Sequence, residues 1–246
     1  MAQENSALFR RLAHYGAVAE DAGDAIARLS DDVTTFAPGT TIIERGQVPQ
    51  NAFVVIDGWA SRAITLKDGR NQVVNFMLPG DFFDLQVFVG QAADHTVRAL
   101  TELKLASIKQ ERITELFSAH AQLAPYFWWS AVQEEAILRE QIVRNGRRSA
   151  RERVAHLLLE LHARLSIIGR AEQDSFVMPI GQTHVADALG MSYVHLSRVF
   201  SFLEKSEYIS RARSEVVLMD REALENLADF STLFLHLQPG RLDFGL

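Results

Sequence analysis

The chain has 246 residues, of which 48% are hydrophobic and 23% charged, a composition typical of globular proteins rather than of disordered or fibrous ones. Its formal net charge is -6 at pH 7, but residues 139–213 carry an excess of Lys and Arg between two acidic segments. The absence of cysteine excludes disulfides, thiolate zinc sites and cysteine-held iron–sulfur clusters. Because the chain shows neither a long apolar run nor a secretory signal, we predict a cytoplasmic protein without membrane contact.

The first half of the chain changes from a helical to a strand pattern. Residues 1–30 have an imperfect helical spacing of apolar residues, interrupted by Gly16 and Gly23. Short apolar runs then predict strands at residues 33–36, 40–43, 52–56, 61–66, 72–78, 97–100 and 104–108. Turn pairs such as Pro38-Gly39 and Asp68-Gly69 separate most of these runs at intervals of about ten residues. The pattern predicts a compact antiparallel barrel or sandwich with a hairpin at Asp68-Gly69.

The strands stop after Glu111, and helical spacing without glycine continues to Gly146. We predict one long helix with Pro125 in its first turn, where a missing amide hydrogen is tolerated, ending at the pair Asn145-Gly146. One stripe along this helix consists of Trp128, Val132, Glu135, Leu138 and Ile142. Two packings are consistent with the stripe: it covers its own domain, or it pairs with the same helix of a second chain.

A second helix is predicted from Ser149 to about Ile167, with Ser149 and Glu152 forming a capping box. Its apolar face contains Val154, Leu157, Leu158, Leu161 and Leu165. The residues around the start of this helix are strongly basic, and the arginines are Arg144, Arg147, Arg148, Arg151 and Arg153. Such a run is either a solvated helix face or a surface that binds nucleic acid.

Residues 182–209 predict two helices joined by a tight turn. A small residue, Ala186, allows close approach of the helices, Gly190 adopts a positive φ at the turn, and Met191 fills the core behind it. The second helix begins at Ser192 and buries either Val194 or Leu196 together with Val199, Phe200 and Leu203. This helix-turn-helix pattern is typical of proteins that insert the second helix into the DNA major groove.

Residues near the start of the second helix are the candidates for base contact. The planar guanidinium of Arg198 can bind O6 and N7 of guanine; the alternative partners are a phosphate or an acidic neighbour. Residues 208–218 alternate between inward- and outward-facing positions around a turn, which predicts a small β-wing. This wing would direct Arg211 and Arg213 toward phosphates. The residues predicted to contact DNA are Gln182, Thr183, Ser192, Tyr193, His195, Ser197, Arg198, Arg211 and Arg213.

The chain resembles the Crp/Fnr superfamily of transcription regulators over nearly its whole length. The residues that carry the resemblance are FAPG at 36–39, IERG at 43–46, FVVIDG at 53–58, LPGDF at 78–82, VRA at 97–99, VADALGMS at 185–192 and HLSR at 195–198. The resemblance implies an α+β protein with an N-terminal cyclic-nucleotide-binding-type β-roll (jelly roll), a long dimerisation helix and a C-terminal winged helix-turn-helix. The corresponding limits are residues 1–118 for a helical segment and effector domain, 119–146 for the dimerisation helix and 147–246 for the DNA-binding domain and tail.

The resemblance also implies an effector pocket. The residues at its positions are Phe82, Asp84, Leu85, Asp94, His95 and Thr96. Cyclic-nucleotide binders of the family neutralise the cyclic phosphate with an arginine, whereas this chain has Ala93 and Asp94 there, and a carboxylate repels a phosphodiester. The sequence therefore argues against cyclic AMP or cyclic GMP as the effector. No cofactor is predicted, but binding of haem through His95 or another histidine stays open.

The resulting hypothesis is a homodimeric regulator that reads a palindromic operator, contacts RNA polymerase and responds to a small-molecule effector other than cyclic AMP or to none. Val194 stands where the family commonly has a glutamate, so the operator should differ from the commonest family consensus. The alternative is a cyclic-nucleotide-responsive regulator, or a ligand-sensing module that acts on a protein partner. No nucleophile–base pair, glycine-rich phosphate loop or HExxH spacing is present, so neither catalytic residues nor a metal site are predicted. The operator, the direction of regulation and the role of residues 220–246 stay open.

Overall fold

The computed structural model describes residues 6–16, 20–29 and 32–237. Packing divides these residues into two compact units. One contains the chain up to Ala60, Met77–Glu134 and the residues from His236 onward; the other contains Ser61–Phe76 and Glu135–Leu235. The β-hairpin within Ser61–Phe76 thus packs with the C-terminal half of the chain. The domain limits predicted after residues 118 and 146 stay a prediction.

Four helices contribute to the first unit. They are α1 (Ala7–Tyr15), α2 (Glu20–Arg28), α3 (Gln110–Ala119) and the first part of α4 (Ala124–Arg147). The helix α1 begins after Ser6, whose hydroxyl accepts a hydrogen bond from the amide of Phe9 at 3.1 Å. The long helix predicted with Pro125 in its first turn is confirmed as α4. The sequence did not predict that the helical residues after Glu111 form a separate helix, α3, which ends at Ala119 and is followed by a 3-10 turn over Ala121–Leu123.

The break between α3 and α4 has a local cause. Pro125 is the second residue of α4, and because it has no amide hydrogen it cannot continue a helix that starts several residues earlier. The first-turn position predicted for Pro125 is confirmed. The predicted end of the helix at Asn145-Gly146 is one residue early, since α4 continues to Arg147.

Eight strands lie between Asp32 and Gln110. In chain order they are β1 (Val33–Phe36), β2 (Thr41–Ile43), β3 (Asn51–Asp57), β4 (Ala60–Thr65), β5 (Asn71–Met77), β6 (Phe82–Phe83), β7 (Thr96–Ala99) and β8 (Leu103–Lys109). The seven predicted strands are confirmed, and β6 was not predicted because two residues are too few to show alternation. One antiparallel sheet has the order β1-β8-β3-β6, and β2 pairs with β7.

The central strand β3 is buried on both faces. Val54 packs in one apolar cluster with Leu12 and Phe127, whereas its neighbour Val55 packs in a second cluster with Leu105. Successive side chains of a strand point to opposite faces, so an unbroken apolar run is required here. Each fully buried side chain of this kind contributes about 1.5–3 kcal/mol to folding.

The second unit begins with the hairpin of β4 and β5. Its turn contains Gly69 at φ 84°, and the amide of Leu66 donates to the carbonyl of Arg70 at 2.8 Å. A positive φ favours glycine, and the hairpin predicted at Asp68-Gly69 is confirmed.

The remaining elements form a winged helix-turn-helix. They are α5 (Ala150–Ser166), β9 (Ser175–Val177), α6 (Gln182–Leu189), α7 (Tyr193–Lys205), β10 (Ile209–Ala212), β11 (Glu215–Leu218) and α8 (Arg221–Ala228). The predicted capping box is confirmed by two hydrogen bonds between Ser149 and Glu152. The wing is confirmed too, and β9 extends it to a sheet of order β10-β11-β9. The α+β fold class is therefore confirmed.

The C-terminal tail is described only in part. The helix α8 covers Arg221–Ala228, and a 3-10 helix over Thr232–Leu235 follows it. The rest of the tail, residues 238–246, lies outside the described residues. Among the described helices, none combines the length and apolar character needed to cross a membrane.

Candidate nucleic-acid interface

The turn between α6 and α7 is built around Gly190. This residue is in the left-handed region at φ 61° and ψ 41°, where a side chain would be strained. The amide of Met191 donates to the carbonyl of Ala186 at 3.1 Å, and Ala186 is buried, as predicted for the close approach of the two helices. Met191 is only half-buried, so it fills the core less completely than predicted.

The helix α7 buries one face and exposes the other. Its first turn is capped by Ser192, whose hydroxyl accepts from the amide of His195 at 3.2 Å. The buried residues are Leu196, Val199, Phe200 and Leu203, which decides between the two predicted core candidates in favour of Leu196. Val194 instead is 58% exposed.

The predicted base-reading residues lie at the exposed end of α7. Tyr193, His195 and Arg198 are exposed, and Ser197 is half-buried. At the start of α6, Thr183 is exposed and Gln182 half-buried. The structure therefore presents an open, polar surface at the beginning of α7.

The two wing arginines differ in their surroundings. The guanidinium of Arg211 donates to both carboxylate oxygens of Glu204, at 3.0 and 3.1 Å, and lies 3.8 Å from the ring centre of Phe200. Arg213 is exposed at the wing turn with φ 56°. Arg211 thus has an intramolecular partner that its sequence position did not reveal, and a phosphate would have to share it with Glu204.

Three of the five arginines between residues 144 and 153 have partners within the second unit. The guanidinium of Arg144 is buried against Glu160 at 2.5 Å, Arg148 bonds Glu140 at 2.6 Å, and Arg153 donates to the carbonyl of Leu189 at 3.3 Å. These three arginines are structural. Burial excludes both sequence interpretations, a nucleic-acid surface and a solvated face, for Arg144; for Arg148 and Arg153 they stay a prediction.

The buried ion pair of Arg144 and Glu160 belongs to a larger network. Arg164 also contacts Glu160, at 3.3 Å. Burial acts to raise the pKa of Glu160, but the charges of Arg144 and Arg164 outweigh it and hold the pKa below its usual value. Glu160 is therefore a carboxylate at neutral pH.

Next to this network, burial and the charge of Arg144 lower the pKa of His156 to about 3. Its Nε2 lies 3.1 Å from Glu140 and its Nδ1 lies 3.3 Å from Arg144. A neutral ring satisfies both neighbours when Nε2 carries the hydrogen, because Arg144 is only a donor and Glu140 only an acceptor. His156 is therefore neutral in the folded protein at physiological pH.

The hairpin β4–β5 contacts the helix-turn-helix directly. The amide of Gln72 donates to the carbonyl of Ala188 at 3.1 Å, and Asn71 donates to the carboxylate of Asp187 at 3.3 Å. Both acceptors lie in the last turn of α6. These contacts join residues far apart in the chain, and no local sequence pattern could have identified them.

The predicted effector-pocket residues contact one another. His95 is 4% exposed; its Nε2 lies 3.1 Å from Asp84 and its Nδ1 lies 2.7 Å from Asp94. Phe82 is buried as well, whereas Leu85 and Thr96 are half-buried. Both ring nitrogens of His95 thus face carboxylates within the protein.

The predicted dimerisation stripe is largely accessible in the single chain. Trp128 is 75% and Ile142 74% exposed, Val132 and Leu138 are half-buried, and Glu135 is exposed. Trp129 points the other way: it is buried and stacks on Tyr15 with ring centres 4.4 Å apart. Of the two packings left open by the sequence, cover by the described part of the same chain does not hold for Trp128 and Ile142.

Comparisons with known proteins match both halves of the chain. A family model described as cyclic nucleotide-binding domain matches residues 33–120. A second, described as Crp-like helix-turn-helix domain, matches residues 152–227.

Individual relatives are transcription regulators. The nitrogen fixation regulation protein FixK of Azorhizobium caulinodans is 30% identical over 193 residues, which cover 78% of this chain and 77% of FixK. The transcriptional activator FnrL of Cereibacter sphaeroides is 27% identical over 206 residues, covering 80% and 81%. The structure of FixK2 from Bradyrhizobium japonicum has a similar fold, with a TM-score of 0.72 and 24% identity over 81% of this chain and 98% of FixK2.

Proposed function

The chain belongs to the Crp/Fnr family of DNA-binding transcription regulators, and we propose that it acts as a homodimer that reads a palindromic operator through α7. The observation that carries the proposal is the exposed first half of α7, where Arg198 projects from the surface. A helix fits the major groove, which is about 12 Å wide, and its first residues reach the base edges.

Each predicted contact residue has a role in this complex. Arg198 binds guanine through two hydrogen bonds, and Ser192, Tyr193, His195, Ser197, Gln182 and Thr183 contact phosphates or neighbouring bases. Arg213 lies on the wing, where it contacts phosphate. Phosphate contact is less well supported for Arg211, because Glu204 already binds its guanidinium.

Dimerisation through α4 would place the two α7 helices in successive major grooves, about 34–36 Å apart. The exposed stripe from Trp128 to Ile142 supports this arrangement, since large apolar side chains in contact with water favour association. We also propose that the protein contacts RNA polymerase, because such a regulator acts on transcription. A cytoplasmic location follows, because the operator DNA and the polymerase are in the cytoplasm.

We expect control by an effector other than cyclic AMP or cyclic GMP, or by none. Two features support this: Asp84 already faces His95, and Asp94 would repel a cyclic phosphate. Haem iron would need a free imidazole nitrogen, and both nitrogens of His95 face carboxylates. We therefore propose no resident cofactor at this position.

The experiment is selection of DNA from a random duplex library, with and without cyclic AMP. The chain should enrich a palindromic motif in both conditions, and Arg198→Ala should lose the motif. Arg112→Ala, which removes an exposed arginine of α3, serves as the matched control and should keep it. A motif that appears only with cyclic AMP would overturn the effector proposal, and a motif that Arg198→Ala still enriches would overturn reading through Arg198.

A further inference from the structure

The first turn of α7 contains an apolar side chain, Val194, at an exposed position. Helix residues are rotated by about 100° from one to the next, so Val194 lies about 200° from the buried Leu196. Arg198, four residues later, lies on the same outward face as Val194. Tyr193 and His195 flank this face on either side.

This exposed valine has no structural benefit in the free protein. Val194 is 58% exposed, so it adds little to the core, and its branched side chain has a lower helix propensity than alanine. No acidic residue stands in the first turn of α7. The outward surface at this end of the helix therefore offers an apolar group and the guanidinium of Arg198, without a carboxylate.

One base-edge group in the major groove suits such an apolar side chain. Adenine, guanine and cytosine present hydrogen-bonding groups there, whereas thymine adds a 5-methyl group that packs against apolar side chains. We infer that Val194 contacts the 5-methyl group of a thymine in each operator half-site. This inference rests on the proposed function, because it requires α7 to lie in the major groove.

The position of that thymine follows from the helix geometry. Four residues advance a helix by about 6 Å, and base pairs are stacked about 3.4 Å apart. The thymine should therefore lie one or two base pairs from the guanine that Arg198 binds. Burying a methyl group is worth about 0.8 kcal/mol, which corresponds to roughly a fourfold change in affinity per half-site.

The test replaces each thymine of the selected operator, one position at a time in both half-sites, by deoxyuridine, which lacks only the methyl group. At one position near the guanine that Arg198 binds, this replacement should weaken binding of the unaltered chain by about fifteenfold, because a fourfold loss occurs in each of the two half-sites. In Val194→Ala the thymine operator should bind more weakly and the deoxyuridine penalty should disappear. Val194→Thr keeps one methyl group and should keep most of the penalty.

Val48→Ala is the matched control, because Val48 is also exposed but lies before β3, far along the chain from α7; it should retain the full penalty. A deoxyuridine penalty that persists in Val194→Ala would overturn the inference, as would an Arg198-dependent operator without a sensitive thymine. Either result would leave the proposed function intact. A selected operator that Arg198→Ala binds as tightly as the unaltered chain would overturn the proposed function and, with it, this inference.

Discussion

The side-chain amide of Gln72 on β5 donates a hydrogen bond of 3.1 Å to the carbonyl of Ala188 on α6. Asn145 of α4 donates to the same carbonyl at 3.0 Å, and Gln141 of α4 donates to the carbonyl of Val73 at 2.8 Å. The end of the first helix of the helix-turn-helix is thus held by a hairpin and by the long helix. Carbonyls at a helix C-terminus have no partner within the helix, so side chains from other elements can satisfy them.

Removal of the hairpin contacts should loosen α6. The double variant Asn71→Ala and Gln72→Ala removes both side-chain hydrogen bonds from the hairpin to α6, each worth about 0.5–1.5 kcal/mol. Amide hydrogen exchange of residues 186–191 should therefore accelerate more than exchange in the core of α5. Lys67→Ala at the exposed hairpin tip is the control, and equal exchange in both variants would contradict the prediction.

The buried carboxylate of Glu160 should be essential for stability. Glu160→Gln keeps the shape but removes the buried negative charge that Arg144 and Arg164 both contact, which should lower the free energy of unfolding by about 3–5 kcal/mol. Urea unfolding measures the change. Glu135→Gln breaks the exposed pair with Arg139 and should cost less than about 1 kcal/mol; similar losses for the two variants would be evidence against the buried network.

Stability should fall in mild acid because of His156. Its pKa is about 3 in the folded protein and about 6.5 when unfolded, so between these values the unfolded chain binds more protons. In this window the free energy of unfolding therefore rises with pH by up to about 1.4 kcal/mol per pH unit. The protein accordingly loses stability as the pH falls below 6.5.

Measurements between pH 4.5 and 6.5 separate the effect of His156 on stability from that of Glu160. The pKa of Glu160 is lowered, so its protonation affects stability only below this window. Urea unfolding across this range should show a positive slope that is reduced in His156→Gln. His120→Gln, which alters a histidine of the first unit, should retain the slope. An unchanged slope in His156→Gln would assign the acid sensitivity to other groups.

The exposed stripe of α4 should mediate dimerisation. Ile142→Glu places a charge on the stripe and should raise the dimer dissociation constant at least about tenfold, while Trp128→Ala removes one of the largest apolar contacts and should weaken the dimer as well. Sedimentation over a range of concentrations gives the dissociation constant. Arg147→Glu, on another face of the same helix, is the control. Unaltered dimers in both test variants would place the interface elsewhere.

The sequence by itself determined the order of elements, the helix-turn-helix and the family. Local physics explains this success: the strand alternation, the Asp68-Gly69 turn, the capping box at Ser149 and the positive φ required at Gly190 each depend on a few neighbouring residues. The resemblance carried by residues 185–192 is confirmed by relatives of the same class. The contacts of the predicted DNA-binding residues with DNA stay a prediction.

Only the tertiary structure decided which charged groups are free and which are paired. Arg144 and Arg198 are both arginines on predicted helices, yet one is buried against Glu160 and the other is exposed. Spacing along the chain does not reveal a partner 16 residues away on another helix, nor the bond between Gln72 and Ala188, 116 residues apart. Such pairs depend on how the elements pack, and burial then fixes their charge states, because an ion inside a protein is stable only beside its partner.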